Sequence, residues 1–406
     1  MFDQNISSLN RQQSNFLEVS QQIASGRRVV NPSDDPQAAS RAVRVDQSKA
    51  VSQQFADSRV SARNSLAQTE SILNSVSDAV TRGKTLMVQA SNGTLSDADR
   101  QSVASELRGV YESVIGQANA TDGNGSHLFG GYKDSSEPFI RDSDGKIEYV
   151  GDENARQQRI DSSRLMNVAE NGKTIFQSAP SGAGYIAEAD SNNTGTVTFS
   201  GPQVVDSGEA ASGEGFKIVL SNSGAPSQSN PPTIEDASGN DVTASATLTD
   251  QQDGSLRVKY EGVAVTLDGE ADTSDTITVA PTSADETNTD LFKTFEKALD
   301  VLENPANTDA KEAALDNTLK TVMREFDNSL DNVLTERASV GARLNELDVV
   351  DSVGSDRMIN YESTLSDLVD LDYAEAVSEF SLRQAGLQAS QKTFAEMKDM
   401  SLFNFL

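Results

Sequence analysis

Two helical patterns enclose a region of a different kind in this chain of 406 residues. From Ile6 to about Ala120, and again from Thr289 to the end, apolar residues recur at steps of three and four, the spacing of an amphipathic helix. Between about Phe139 and Pro281, Gly and Pro are frequent and apolar residues alternate with polar ones, as they do in strands. The pattern therefore predicts an α+β fold, in which a long helical bundle or coiled coil made by both termini is interrupted by an inserted antiparallel β-rich domain.

The changes of pattern also predict where the domains begin and end. We expect terminal coiled-coil assembly segments at 1–30 and 370–406, a helical rod domain at 31–138 and 289–369, and a β-rich outer domain at 139–288. Within the outer domain, the clearest strand patterns are KIEYVG (146–151), TVTFSG (196–201), GFKIVLS (215–221), SLRVKYEGVAVTLDG (255–269) and DTITVAP (275–281).

The two ends carry apolar stripes with a heptad repeat, here called the terminal seams. Their apolar members are Ile6, Leu9, Phe16 and Ile23 at one end, and Tyr373, Val377, Phe380, Leu387 and Phe394 at the other. Such spacing is typical of coiled coils, although an ordinary helical bundle would use the same residues as packing surface. Polar residues interrupt both seams, and each missing large side chain forfeits about 1.5–3 kcal/mol of burial. We therefore predict that the seams order only against neighbouring subunits.

A third and longer register runs through the helical pattern near the C-terminus, from Phe326 to Leu368. Three of its positions, Arg337, Asp351 and Gly354, lack an apolar side chain. An uninterrupted apolar stripe would be expected at a simple helix–helix contact. The repeat as a whole is typical of coiled-coil geometry, with an ordinary amphipathic helix in a bundle as the alternative.

Composition excludes several kinds of partner. The chain has 62 acidic and 33 basic residues, a net charge of −29, which argues against nucleic-acid and anionic-membrane partners. No apolar run reaches the roughly 18 residues of a membrane-spanning helix, and no secretory signal is recognisable at the N-terminus. A cytoplasmic location and export without a cleaved signal both remain compatible with these features.

The residues needed for common catalytic and metal sites are missing. Cys is absent and His127 is the one histidine, so zinc and Cys–His chemistry lack their ligands. Asp142-Ser143-Asp144-Gly145 resembles a fragment of a calcium loop, but the twelfth position, which should be Glu, is Gly151. We therefore predict no enzyme activity, no cofactor and no metal site.

Two adjacent carboxylates in NPSDDPQAAS (31–40) could nevertheless be a metal-binding pair. Pro36 suits the first position of a helix, which makes Asp35 the N-cap. Asp34 would add negative charge near the positive end of the helix dipole. We interpret Asp34, Asp35 and Pro36 as a cap at a joint between helices, with a metal site as the alternative.

The same stretch begins a resemblance to a known family. GRRVVNPSDDPQAAS (26–40), TDGNGSHLFGGYKDSSEPF (121–139), ERASVGARLNEL (336–347) and the C-terminal 35 residues (372–406) resemble corresponding segments of the flagellin superfamily, in the same order. Within that superfamily, the chain looks most like the proteins of the hook–filament junction. The resemblance covers roughly 1–140 and 290–406, whereas the middle is similar only in style.

The resemblance implies a structural role in the bacterial flagellum. It implies an extracellular, motility-related adaptor that joins the hook, through the first hook-associated protein, to the flagellin filament. It also implies a homo-oligomeric ring, export by the flagellar type III apparatus without a cleaved signal peptide, and a chaperone that binds the C-terminus. The alternatives are a flagellin filament subunit and, from the helical pattern alone, a cytoplasmic coiled-coil scaffold.

Overall fold

The computed structural model describes residues 2–178, 184–210, 214–282 and 290–403. The chain divides into two units, which are described separately. The terminal unit contains Met1–Val60, Arg159–Arg164 and Leu347–Leu406; the central unit contains Ser61–Gln158 and Leu165–Glu346.

Seven helices form in the described part of the chain. They are α1 (Phe2–Ser25), α2 (Pro36–Ala90), α3 (Asp97–Ala118), α4 (Gly172–Phe176), α5 (Leu291–Glu303), α6 (Asp309–Val369) and α7 (Tyr373–Phe403). The two longest, α2 and α6, contribute residues to both units. Local sequence explains several boundaries: Ser96 and Asp99 form a capping box at the start of α3, which satisfies N–H groups that the first helical turn leaves unpaired. Across the described residues, no helix is sufficiently long and apolar to span a bilayer.

Twelve strands lie between α3 and α5 in the described residues. They are β1 (Phe139–Arg141), β2 (Ile147–Tyr149), β3 (Arg156–Asp161), β4 (Arg164–Ala169), β5 (Tyr185–Ala189), β6 (Thr198–Val204), β7 (Phe216–Leu220), β8 (Thr233–Asp236), β9 (Thr247–Asp250), β10 (Leu256–Tyr260), β11 (Val263–Asp268) and β12 (Asp275–Pro281). The α+β fold with an inserted β-rich region is confirmed by this order of elements and by the solved structures described below.

Strands β5 to β12 form two four-stranded sheets that enclose one apolar core. The strand orders are β6-β11-β10-β9 and β5-β12-β7-β8, and the paired strands are antiparallel. Alternate residues point inward, as Phe216, Ile218 and Leu220 of β7 illustrate. The tight turn between β10 and β11 has positive φ at both Glu261 (46°) and Gly262 (72°), as a two-residue hairpin with the right twist requires.

Strands β1 to β4 and α4 are packed differently, against helices of the rod. The ring of Phe292 in α5 lies 5.0 Å from that of Phe139 in β1 and 5.8 Å from that of Phe176 in α4. Tyr111 of α3 donates a hydrogen bond to Glu296 of α5 at 2.7 Å. We therefore propose that the outer domain begins near residue 184, after a segment from 139 to 178 that belongs to the helical rod.

Candidate assembly site in the terminal unit

Helices α1 and α7 pack against each other through a narrow apolar stripe. The rings of Phe16 and Phe380 have their centroids 4.9 Å apart. The most buried apolar residues beside them are Val19, at 3% exposure, and Ala376, at 4%. Both lie at a step of three or four from the ring on their own helix, as a heptad contact requires.

The predicted terminal seams are only partly turned toward this contact. Leu9, Phe16, Ile23, Phe380, Leu387 and Phe394 are half-buried, whereas Ile6, Tyr373 and Val377 are exposed. Sequence reasoning missed Val19 and Ala376. On a helix, the residue three positions after Phe16 or Tyr373 faces nearly the same side as the residue four positions after it, so the spacing alone does not decide between them. Ala376 also has a small side chain, which gave no hydrophobic signal.

The segment from Gly26 to Asp35, here called the joint, is tied by backbone hydrogen bonds to the connection between α6 and α7. The N–H of Leu371 donates to the carbonyl of Gly26 at 3.1 Å, and that of Arg28 donates to the carbonyl of Val369 at 2.8 Å. Gly26 has a φ of +69°, and a Cβ there would lie 3.0 Å from the hydroxyl of Tyr373. A glycine therefore suits both the turn and the close approach of the tyrosine.

The two carboxylates of the joint have separate tasks. Oδ1 of Asp35 accepts a hydrogen bond from the N–H of Ala38 at 3.0 Å. That bond, together with the guanidinium of Arg28, lowers the pKa of Asp35. Oδ2 of Asp34 instead accepts from the N–H groups of Val30 and Asn31, at 3.1 and 2.7 Å, and so closes the loop before the helix.

The metal alternative has no further ligands to draw on in the described structure. Among the described residues, no three His, Cys, Asp or Glu side chains gather into a group that could hold an ion. Both carboxylates of the joint are occupied by backbone N–H groups from their own loop and helix. This arrangement is that of a capped helix start.

A buried arginine fills the gap that Asp351 and Gly354 leave in the heptad pattern of α6. Arg59 of α2 is 5% exposed; it forms an ion pair with Asp351 and donates to the carbonyl of Ile160 at 3.1 Å. A Cβ on Gly354 would lie 2.6 Å from Nη2 of Arg59. Asp351 therefore supplies the acceptor that a buried guanidinium needs, and Gly354 leaves the space for it.

A second arginine, Arg357 of α6, binds the end of β3 next to the residue that Arg59 contacts. Nη1 of Arg357 donates to Oδ1 of Asp161 at 3.1 Å. The N–H of Ser162 and this arginine together lower the pKa of Asp161. Two arginines thus hold the end of β3 onto the helices of the terminal unit.

Outside these contacts, the terminal unit leaves many large apolar side chains in solvent. Those more than half exposed are Leu17, Val43, Val60, Val349, Val353, Ile359, Tyr373, Val377 and Leu382. In the much larger central unit, the described residues in this class are Val88, Tyr132 and Leu165. Apolar residues exposed in such numbers on a few helices are typical of interaction surfaces.

Comparison with known proteins first identifies the class and then the family. Residues 1–134 match the family described as the bacterial flagellin N-terminal helical region. The chain is 32% identical to flagellar hook-associated protein 3 of Escherichia coli (strain K12), over 99% of this chain and 96% of that protein. The crystal structure of FlgL from Xanthomonas campestris matches with a TM-score of 0.66 and 25% identity, over 79% of this chain and 99% of that one. This chain belongs to the flagellar hook-associated protein 3 family.

Similarity to flagellin itself is confined to a smaller part of the chain. The phase 1 flagellin of Salmonella naestved is 33% identical over 119 residues, which are 29% of this chain and 23% of that flagellin. The resemblance to the hook-associated branch of the superfamily, noted in the sequence, is confirmed.

Proposed function

We propose that this chain is a structural, non-enzymatic adaptor of the bacterial flagellum that joins the hook to the flagellin filament. Its partners would be further copies of itself in a ring, the first hook-associated protein on the hook side and flagellin on the filament side. Full-length similarity to a flagellar hook-associated protein supports this role. An extracellular site, reached by flagellar type III export with a chaperone on the C-terminus and no cleaved signal peptide, belongs to the same proposal.

The observation that carries the proposal is the exposed apolar surface of the terminal unit. Leu382 of α7 is 74% exposed, and Val349, Ile359 and Val43 are each more than 60% exposed. Helices that leave large apolar side chains in solvent gain stability when neighbouring subunits cover those side chains. Assembly into a tube or ring would supply that cover.

Gene deletion followed by electron microscopy tests the role. We expect cells that carry hooks without filaments and release flagellin into the medium; normal filaments in the deletion strain would contradict the proposal. Labelled antibody against the chain should mark the hook–filament boundary. Label along the whole filament would instead favour the filament-subunit alternative, and label confined to the cytoplasm would favour the scaffold alternative.

A matched pair of variants tests the apolar surface itself. Leu382→Asp places a charge on the exposed side of α7, and Leu165→Asp makes the same change at an exposed leucine of β4 in the central unit. We expect the Leu165 variant to restore filaments in the deletion strain and the Leu382 variant to fail, although both fold. Full restoration of filaments by the Leu382→Asp variant would show that the exposed side of α7 at this position is not part of the assembly surface.

A further inference from the structure

The parts of α2 and α6 that lie in the terminal unit carry opposite charges. In α2, residues 36–60 include four basic and two acidic side chains, although the whole chain has a net charge of −29. In α6, residues 347–369 include five acidic side chains and one basic side chain. Surfaces of opposite charge attract each other and exclude partners of like charge. The two helices can therefore recognise each other, both within one chain and between copies.

Within one chain, two ion pairs fix how these helices lie against each other. Nζ of Lys49 lies 2.9 Å from Oε1 of Glu362, and the buried Arg59 pairs with Asp351. The paired positions advance along α2 as they recede along α6, so the two helices run antiparallel. The sides of the helices that carry these residues therefore face each other.

Helix α2 leaves apolar side chains in solvent on the side away from this contact. Val43 and Val51 are 68% and 44% exposed and lie about two turns apart. Ser52, about two and a half turns after Val43, is 9% exposed and marks the inward side. The exposed Arg44 lies at the edge of the outward side, and its side chain makes no ion pair or hydrogen bond within the described residues. We call Val43, Arg44 and Val51 the basic face of α2.

Helix α6 has a similar outward face of the opposite charge. Val353 and Ile359 are 52% and 64% exposed, whereas Val350, about two and a half turns before Ile359, is 7% exposed and lies inward. The exposed Asp367 follows Ile359 by about two turns on the same side. In the part of the chain that the structure describes, its carboxylate has no partner. We call Val353, Ile359 and Asp367 the acidic face of α6.

The basic and acidic faces lie on opposite sides of the helix pair, at matching heights. Because the inward sides of α2 and α6 meet, the two outward faces point in nearly opposite directions. Arg44 lies five positions before Lys49, and Asp367 lies five positions after its partner Glu362, so the two residues are at about the same height along the pair. Subunits related by rotation about an axis along these helices bring equal heights together. Two different surfaces on opposite sides of a subunit are what a closed ring requires.

We propose that the basic face of α2 in one copy packs against the acidic face of α6 in the next copy. The contact places Arg44 opposite Asp367 and covers the exposed apolar side chains of both faces. Unlike charges steer and orient the copies, and burial of the valines and the isoleucine stabilises the contact. This inference rests on the proposed function, because it names the surfaces that would join copies of the chain in the ring.

Charge reversal in the deletion strain tests the contact. Arg44→Glu and Asp367→Arg each place like charges opposite each other, so the fraction of cells with filaments should fall by about tenfold or more. Both changes in one chain should restore filaments. Co-expression of the two single variants in one cell should restore them as well, because alternating copies again bring opposite charges together. Thermal unfolding of each purified variant should match that of the parent chain, since both side chains are exposed.

The outcomes that contradict the contact are distinct from those that contradict the function. Filaments formed by either single variant would overturn the contact and leave the proposed function intact, whereas normal filaments in the deletion strain itself would overturn the proposed function and the ring with it. A double variant without filaments would mean that the faces bind another flagellar protein. Restoration by the double variant but not by co-expression would place the ion pair within one chain, which also contradicts the proposal.

Disulfide cross-linking provides a second test, since the chain has no Cys of its own. Val51→Cys together with Ile359→Cys, two positions at similar heights, should give a ladder of linked copies when isolated flagella are oxidised. Val88→Cys together with Ile359→Cys is the matched control, because Val88 is also exposed, at 56%, but lies in the central unit. Absence of a ladder from the first pair, in flagella that carry the variant, would overturn the proposal, and so would equal ladders from both pairs.

Discussion

The two units differ in how much apolar surface they bury by themselves. In the terminal unit, the buried apolar residues among those described are Val19, Val29, Ala38, Ile160, Leu347, Val350 and Ala376. The central unit holds several times as many, and its largest fully buried side chains include Phe176, Phe292 and Phe326. A small core supplies little stability, so the central unit is stabilised from within, whereas the terminal unit depends on surfaces that it has yet to cover.

Hydrogen exchange on the free chain tests most directly whether the terminal unit is less stable than the central unit. We expect amides of α1 and α7 to exchange with opening free energies near zero, and those of α3, β10 and β11 to approach the global stability, about 5–15 kcal/mol for a typical domain. Exchange in α1 and α7 should slow when the chain polymerises with its partners. Strong protection around Phe380 and Leu387 in the free monomer would show that the terminal unit is stable alone.

Two phenylalanine pairs with nearly equal ring distances allow a sharper comparison. Phe326 lies 4.8 Å from Phe295 in the central unit and is fully buried, while Phe380 lies 4.9 Å from Phe16 in the terminal unit and is half-buried. Phe326→Ala should destabilise the free chain by about 3–5 kcal/mol. Phe380→Ala should change the thermal midpoint of the free chain far less and instead impair assembly, since its ring completes a shared surface.

Denaturant unfolding measures the first effect, and co-sedimentation with flagellar partners measures the second. Equal losses of stability for the two variants would mean that burial in the two units is worth the same. Normal assembly of the Phe380 variant would show that the contact between Phe16 and Phe380 is not needed for assembly.

The fold class could be predicted from the sequence, whereas the difference in burial between the two units mostly could not. Heptad spacing predicted helices at both ends, and alternation predicted β2, β6, β7, β10, β11 and β12. Strands β1, β3 and β4 lie outside the predicted segments, and the three strands β5, β8 and β9 were missed as well. They are short and mostly carry polar or small residues, and they form because a neighbouring strand offers hydrogen bonds. Pairing of this kind is decided by tertiary context.

The candidate site shows the same limit. The cap at Asp35 follows from Pro36 beside it, because the signal is local. The buried Arg59 could not be predicted, since its partners Asp351, Gly354 and Ile160 lie about 100 to 300 positions away in the chain. The gap in the heptad at 351 and 354 was the available signal, and it showed a departure from the pattern without naming what fills it.

The buried carboxylate of Asp290 makes the central unit sensitive to pH. Burial raises the pKa of Asp290 to about 6, even though the N–H groups of Lys293 and Phe292 oppose the shift. Because the folded chain then binds the proton more tightly than the unfolded chain, this group favours folding at low pH. Its contribution is lost as pH rises from about 4 to about 6, and the total is roughly 3 kcal/mol at most.

Asp290→Asn isolates that contribution, because Asn can still cap α5 by accepting from Phe292. The variant should be more stable than the parent chain above pH 6, and the two should converge near pH 4. Denaturant unfolding across this range is the measurement. A constant difference between the two chains over the whole range would mean that Asp290 does not titrate there.

The smallest effect concerns the one place where the described part of the terminal unit is closely packed around a buried charge, the contact of Gly354 with Arg59. Gly354→Ala gains helix propensity but drives a methyl group against a guanidinium held by Asp351 and Ile160. At Gly341 of the same helix, a methyl group would have no atom within 4 Å, so Gly341→Ala should stabilise the chain by up to about 1 kcal/mol. The two variants should therefore differ by about 1–3 kcal/mol, with the Gly354 variant less stable. Thermal unfolding of the pair decides the matter: equal gains would mean that Arg59 moves aside freely, and that even this contact of the terminal unit is loose.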